Sequence, residues 1–453
     1  MLATQSDATS RHELGQTELT RHELTQLAGA RRQTDDLFAI VRPDSLYERP
    51  IPERHRIIFY IGHLEAFDWN LLHDRVLGLK SFHPEFDRLF AFGIDPVGGG
   101  LPTDQPAAWP SIPALREYVR DIRAVLDEKL AEALADSDSF GRDGFPLRTL
   151  LNVAIEHRLM HAETLAYMLH QLPLDRKIPQ TESPNLVTPN VHHRRIQVPA
   201  GAVTLGIPRG GNVFGWDNEY EAHSVNVPTF SIDRYKVTIQ QYLEFIADGG
   251  YENRNLWNDD DWNWKSEKSI AHPAFWKRDG NQWLYRTMFN DVPLPLNWPV
   301  YVSQAEAKAY ANWAGKSLPS EPEWQRAAYS SPQGDERSYP WGNDAPASEF
   351  GNFDFDRWNP APVNAFPAGE SGFGVEDMLG NGWEWTSTEF APFAGFEPFP
   401  FYRGYSADFF DGKHFVMKGG SARTAACMLR RTFRNWFQAH YQFIYTGFRC
   451  VSH

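Results

Sequence analysis

The sequence predicts a multidomain protein in which an α-helical bundle is followed by an irregular, loop-rich α+β domain. Amphipathic helical patterns occupy the chain from about residue 35 to residue 172. Beyond residue 198 short β-like runs alternate with turn residues and a dense scatter of aromatic side chains. A length of 453 residues exceeds one ordinary domain and agrees with this division.

Composition divides the chain further. The N-terminal segment is polar and repeats Arg-His-Glu-Leu at residues 11–14 and 21–24, which we interpret as a surface or frayed helix without a function of its own. Residues 174–197 are rich in Pro, Asn, Thr and His and lack apolar periodicity, which is typical of a linker. The predicted segments are the polar N-terminal segment (1–34), the helical bundle (35–173), the linker (174–197) and the α+β domain (198–453).

Apolar residues recur at three- and four-residue spacing in three stretches, residues 57–79, 112–134 and 147–172, and Pro/Gly-rich loops such as residues 95–106 join them. The second domain carries two helical patterns, one after Lys236 and one opened by the capping-box pair Ser303 and Glu306.

Charge and cysteine content exclude several classes of protein. Lys and Arg total 44 against 58 Asp and Glu, a net charge of −14 that disfavours binding to a phosphate backbone. Two cysteines, Cys427 and Cys450, cannot build a disulfide framework. The longest stretches poor in charge, such as residues 287–305, are broken by prolines. We therefore expect a cytoplasmic protein that binds neither nucleic acid nor membrane.

Two histidines, His157 and His161, stand one helical turn apart. At about 100° per residue they project from one face, the spacing at which two imidazoles chelate one metal ion. Glu163 points to another face, so a third ligand must come from elsewhere, and His63 is chosen for its apolar surroundings. The alternative is a surface or core histidine pair. Three neutral imidazoles without a thiolate suit zinc, copper or ferrous iron, and spacing does not choose among them.

Arg120 and Arg123 lie three residues apart on one helix edge, where two guanidiniums can clamp a carboxylate. The alternative is a solvated helix face on which these arginines pair with Asp121 and Asp127.

Aromatic residues crowd the C-terminal part of the chain. Rings from Tyr402, Tyr405, Trp436 and Phe437 would form a cage for a quaternary ammonium group. Either tyrosine would also serve as a proton donor near a metal. The alternative is that these rings belong to the core.

Specific motifs identify a family. The second half resembles the formylglycine-generating-enzyme-like domain, a C-type-lectin-like fold, most clearly at residues 309–328, 377–386 and 447–450. The first half resembles a DinB-type four-helix bundle with a three-histidine iron motif, at residues 54–70 and 157–163. In this order the two halves resemble ergothioneine-type sulfoxide synthases, including ovothiol and selenoneine synthases.

The resemblance implies a mononuclear non-haem iron(II) centre between the domains, with the ligands His63, His157 and His161. It implies O2 and hercynine, the Nα-trimethyl betaine of histidine, as substrates. Tyr402 matches the proton-delivering tyrosine. The residues that match the pocket around the trimethylammonium and carboxylate groups are Tyr405, Asn435 and Trp436.

Two positions depart from the family pattern. Phe437 stands where members that use γ-glutamylcysteine have Asp, and Met160 stands where a Gln often contacts the imidazole. Arg120 and Arg123 fall where those enzymes bind their donor. We therefore expect a synthase that joins sulfur or selenium to C2 of the hercynine imidazole, with a cysteine-type thiol or a selenosugar as donor. The alternative is a non-catalytic protein that binds or senses hercynine or a betaine. Formylglycine generation is disfavoured, because Cys427 and Cys450 are not a closely spaced pair.

Overall fold

The computed structural model describes residues 16–91, 103–135, 140–181, 191–211 and 213–453. It separates into two compact units that divide between Thr181 and Glu182. Part of the predicted linker (182–190), the first copy of the repeated motif (11–14) and most of the Gly/Pro-rich loop (95–102) lie outside the described residues. Within them, no helix is both long and apolar enough to cross a membrane.

The first unit is a helical bundle. Its helices are α1 (Gln16–Ala39), α2 (Ile57–Leu72), α3 (Pro84–Leu89), α4 (Ile112–Leu134) and α5 (Leu147–Gln171). The four long helices pack together, with α1 and α2 each contacting both α4 and α5. The predicted helical bundle is confirmed.

Apolar spacing explains which face each helix buries. In α4 the buried residues recur every three or four positions, while the others are exposed or only partly covered; the buried ones are Leu115, Tyr118, Ile122, Leu126, Leu130 and Leu134. By contrast, α5 is buried along nearly its whole length, because helices cover it on several sides. In α1, Leu27, Ala30 and Leu37 are buried. The described part of the polar N-terminal segment is therefore a helix with one face in the bundle, and the predicted boundary at residues 34 and 35 falls inside it.

The second unit is an irregular α+β domain. Its strands are β1 (Arg195–Val198), β2 (Gly201–Leu205), β3 (His223–Val227), β4 (Phe230–Asp233), β5 (Trp276–Asp279), β6 (Gln282–Arg286), β7 (Asp291–Pro293), β8 (Trp383–Glu389), β9 (His414–Lys418), β10 (Asn435–Gln438), β11 (Thr446–Gly447) and β12 (Val451–Ser452). They form the sheets β1-β4-β12, β10-β9-β8-β11, β2-β3 and β5-β6-β7. Among the strands that the structure describes, only the pair β8 and β11 is parallel.

Within the described part of this unit, four α-helices interrupt the strands: α6 (Ile239–Ala247), α7 (Asp259–Glu267), α8 (Gln304–Trp313) and α9 (Glu321–Tyr329). The two predicted helices are confirmed as α6 and α8. The Ser303 hydroxyl accepts from the Glu306 N–H at 3.2 Å, and the Glu306 carboxylate accepts from the Ser303 N–H at 2.8 Å. Helices α7 and α9 were not predicted from the sequence, although Ser320 and Glu323 give α9 the same capping signal.

Candidate metal centre and aromatic cluster

Three histidines from two helices of the first unit meet in its core. His63 lies on α2, and His157 and His161 lie on α5. The Nε2 atoms of His63 and His161 are 3.2 Å apart, and those of His161 and His157 are 3.1 Å apart. Among the described residues, these histidines form the only group of three or more His, Cys, Asp or Glu side chains close enough to share one ion.

The orientation of His63 is set by a backbone carbonyl. Its Nδ1 lies 2.8 Å from the Phe90 oxygen, which can only accept, so Nδ1 carries the proton and Nε2 keeps a free lone pair. Gly62 permits this approach, because a Cβ there would stand 2.5 Å from the Phe90 ring. A histidine held through its second nitrogen is the usual arrangement of a metal ligand.

Burial keeps the three imidazoles neutral. Loss of solvation lowers the pKa of His63 to about 4, although the bond to Phe90 opposes the shift. It also holds the pKa values of His157 and His161 well below the ordinary range. Repulsion by Arg158 and between the histidines themselves, whenever one is protonated, lowers these pKa values further. Neutral imidazoles are the form that ligates metals. Three of them with no thiolate fit a divalent transition metal such as iron(II).

A buried ion cluster joins the same two helices beside the histidines. Arg158 is fully buried and donates to Glu65 at 2.9 Å and to Asp68 at 2.6 Å. Burial alone would raise the pKa of Glu65, but Arg158 and Arg123 hold it well below the usual range. For Asp68, burial outweighs the attraction of Arg158 and raises its pKa. This cluster was not predicted from the sequence.

The guanidiniums of the predicted arginine pair are engaged with different carboxylates. Arg123 donates to Asp35 at 2.7 and 2.8 Å and to Glu65 at 2.7 and 3.0 Å. Arg120 is exposed and pairs with Asp121 at 3.0 Å, as the alternative interpretation describes, whereas Asp127 pairs with Arg31. Met160 is half-buried on α5, between the two histidines of that helix.

In the second unit, aromatic rings gather around Tyr405. The Tyr402 ring lies 5.6 Å from Tyr405, and the Trp436 ring meets Tyr405 edge to face at 5.3 Å. Trp216, which was not predicted from the sequence as part of the site, stacks on Tyr405 at 4.0 Å and lies 6.4 Å from Tyr402. We refer to Trp216, Tyr402, Tyr405 and Trp436 as the aromatic cluster.

Strand geometry separates Trp436 from Phe437. Asn435, Trp436 and Phe437 are consecutive in β10, where side chains alternate between the two faces of the sheet. Trp436 faces Tyr405 and stacks on Phe390 at 4.2 Å, whereas the Phe437 ring packs on Tyr441 at 5.1 Å. The cage predicted from four rings is thus corrected: alternation places Phe437 on the face opposite Trp436, and Trp216 supplies a further ring.

Comparison with known proteins agrees with this architecture. Residues 26–165 match the DinB superfamily, and residues 183–453 match the sulfatase-modifying factor enzyme 1-like domain. The hercynine oxygenase of Mycolicibacterium thermoresistibile is 38% identical over 344 residues, 74% of this chain and 73% of that protein. The hercynine oxygenase of Mycobacterium tuberculosis is 35% identical over 337 residues, 74% and 76% of the two chains. Ergothioneine biosynthesis protein 1 of Schizosaccharomyces pombe is 28% identical over 451 residues, 91% of this chain and 54% of that protein.

Fold and sequence together define a class of protein in which a DinB-type helical bundle with a buried three-histidine cluster precedes a sulfatase-modifying-factor-type domain. Within that class, the chain belongs to the family whose curated members include the hercynine oxygenases. The family and the fold class predicted from the sequence are confirmed.

Proposed function

We propose that this protein is an iron(II)- and O2-dependent synthase that joins a sulfur or selenium atom to C2 of the imidazole ring of hercynine. The observation that carries the proposal is the buried triad of His63, His157 and His161, in a chain 38% identical to a hercynine oxygenase. Neutral imidazole ligands hold iron(II) without neutralising its charge, and the bound ion would supply the redox chemistry that activates O2.

The second unit would bind the betaine. Electron-rich ring faces stabilise a desolvated quaternary ammonium ion, and the Tyr405 and Trp436 rings, whose centres lie 5.3 Å apart, would supply such faces to the trimethylammonium group. The Asn435 amide would donate to the substrate carboxylate. Tyr402 would hold a proton on its phenolic oxygen and deliver it during the reaction, with Tyr405 as the second tyrosine of this group.

Two donors are consistent with the residues present. With a thiol donor R–SH, the S–H and C2–H bonds are broken and the C2–S bond is formed. One O2 supplies the oxygen of the sulfoxide R–S(O)–C2 and that of one water. Phe437 supplies no carboxylate for an ammonium group on the donor, which favours a selenosugar or another donor without that group. A role of Arg120 and Arg123 in donor binding is a further proposal to be tested. Both arginines already pair with carboxylates of this chain.

The test is direct. Iron-loaded protein is incubated under air with hercynine and either a cysteine-type thiol or a selenosugar, and the products are analysed by mass spectrometry. We expect an adduct mass with one donor and O2 consumption in step with its formation. Hercynine binding without O2 consumption would instead identify a non-catalytic binding or sensor protein, and no product with any donor refutes the enzyme.

A further inference from the structure

A short buried turn underlies the aromatic cluster. Residues Asp217–Glu219 form a 3₁₀ turn whose three side chains are all buried, directly after the fully buried Trp216. A buried carboxylate needs partners that compensate for its lost hydration, because removing it from water is costly. Burial raises the pKa of Asp217 to about 6, against the hydrogen bonds that it accepts.

The Asp217 carboxylate binds both ends of the loop that carries the two tyrosines. At one end, the Ser406 hydroxyl donates to Asp217 Oδ1 at 2.5 Å. At the other end, the backbone N–H of Phe399 donates to the same carboxylate. Tyr402 and Tyr405 lie between these two anchor points, so one side chain restrains the segment that holds both rings.

Neighbouring residues reinforce the same attachment. The Asn218 amide donates to the Ser406 oxygen at 2.9 Å, and Trp216 stacks on Tyr405 with an angle of 24° between the rings. Three consecutive residues, Trp216, Asp217 and Asn218, therefore contact the pair Tyr405 and Ser406.

The turn is also tied to the chain that enters β10. Glu219 accepts from Arg430 at 2.9 Å and from the Thr432 hydroxyl at 2.6 Å, and the Asn218 carbonyl accepts from Arg434 at 3.3 Å. Arg434 immediately precedes Asn435 and Trp436. The turn therefore connects the tyrosine loop to the strand that supplies the rest of the aromatic cluster.

We propose that Asp217 is a positioning residue that, through Ser406 and the Phe399 N–H, holds Tyr405 in place for binding the betaine and Tyr402 in place as the proton donor. This role rests on the proposed function for its effect on hercynine, but the restraint on the loop is a property of the protein alone. Nothing in the proposed role requires Asp217 to touch substrate.

The first experiment needs no substrate. Hydrogen exchange of backbone amides in residues 399–410 is measured by mass spectrometry on the full-length protein and its variants. We expect exchange to accelerate about tenfold or more in Asp217→Ala and in Ser406→Ala, because a charge-assisted hydrogen bond is lost. Asp217→Asn should restore most of the protection, since the amide oxygen still accepts from Ser406. The effects of the two changes should be less than additive in the double variant, because the bond between Asp217 and Ser406 is lost only once, whereas Ser406→Ala also removes the acceptor of Asn218.

A matched control separates local from general destabilisation. Glu306 is another buried carboxylate, bonded to Tyr251 at 2.6 Å and to Ser303 at 2.7 Å, and it is not part of the aromatic cluster. Glu306→Gln should leave exchange in residues 399–410 unchanged. Protection of this segment in both Asp217→Ala and Ser406→Ala equal to that of the wild type would overturn the proposal.

Steady-state kinetics with hercynine supply the second readout. We expect the KM for hercynine to rise about tenfold in Asp217→Ala, with recovery in Asp217→Asn and no change in Glu306→Gln. A KM equal to that of the wild type in Asp217→Ala would overturn the positioning role even if exchange increased. Failure of the wild type to bind or convert hercynine would refute the proposed function alone, since hydrogen exchange still decides whether Asp217 restrains the loop.

Discussion

Arg158 and Glu65 form an ion pair of 2.9 Å in the core of the helical unit, with side-chain exposures of 0% and 1%. Arg158 follows the proposed ligand His157, and Glu65 lies two residues after His63. The pair therefore links α2 and α5 at the level where their histidines meet. A second bond from Arg158 to the Leu64 carbonyl, at 3.0 Å, strengthens the same link.

Removing Arg158 should destabilise the protein strongly. Arg158→Met keeps much of the side-chain volume but leaves Glu65 and Asp68 without this partner, and breaking a buried ion pair in this way costs about 3–5 kcal/mol. Urea denaturation at pH 7 measures the free energy of unfolding. Arg120→Met is the matched control on an exposed helix face, with an expected change of about 0.5 kcal/mol or less. Equal stabilities of the two variants would contradict the role of Arg158.

His161→Ala should abolish iron loading while the fold is retained, because a ligand is lost without a large change in core volume. Metal content after reconstitution with iron(II) is measured by mass spectrometry, and circular dichroism reports the fold. His73→Ala, in the same unit but outside the triad, should bind iron as the wild type does. Unchanged metal content in His161→Ala would show that the ligand assignment is wrong.

Tyr402→Phe should separate binding from turnover. The substitution keeps the ring but removes the phenolic proton, and a positioned proton donor contributes about 10²–10⁴-fold to rate. We expect kcat to fall within that range while the Kd for hercynine, measured by calorimetry, stays near that of the wild type. If only Tyr405→Phe shows this behaviour, the proton donor is Tyr405 instead.

Phe437→Asp should change the preference for the donor. A carboxylate at this position offers an ion-pair partner to a donor ammonium group. We expect kcat/KM for γ-glutamylcysteine to rise about tenfold, with little change for a selenosugar. Phe437→Leu changes the side chain without adding charge. It should not alter the ratio of kcat/KM for γ-glutamylcysteine to kcat/KM for the selenosugar. Equal ratios in the two variants would remove Phe437 from donor selection.

Asp217 should make the stability of the protein depend on pH. Its pKa lies at about 6 in the folded protein against an ordinary value of 3.8, so the folded state binds the proton more tightly than the unfolded state does. Folding stability is then lost as pH rises through this window, by an amount on the order of 3 kcal/mol. Asp217→Asn lacks this titration. The quantity to compare is the free energy of unfolding of Asp217→Asn minus that of the wild type, each measured in urea. This difference should increase by about 3 kcal/mol from pH 4 to pH 7.

The features that could be predicted from the sequence depend on local geometry. His157 and His161 share a face because any α-helix turns about 100° per residue, whatever surrounds it. The capping pair of Ser303 and Glu306 lies within four residues and forms as soon as the helix begins. Motifs of consecutive residues likewise identified the family, since they need no knowledge of how the chain folds back on itself.

Contacts between distant residues could not be predicted in the same way. Trp216 and Tyr405 stack although nearly 190 residues separate them, and only the path of the chain brings them together. From the sequence, Arg123 was expected to be available for a ligand. In the folded protein α1 and α2 place Asp35 and Glu65 against it. The sequence therefore decided which residue types share a helix face or a strand. Their actual partners were decided by packing between elements, because a side chain bonds to whichever group the fold places within reach.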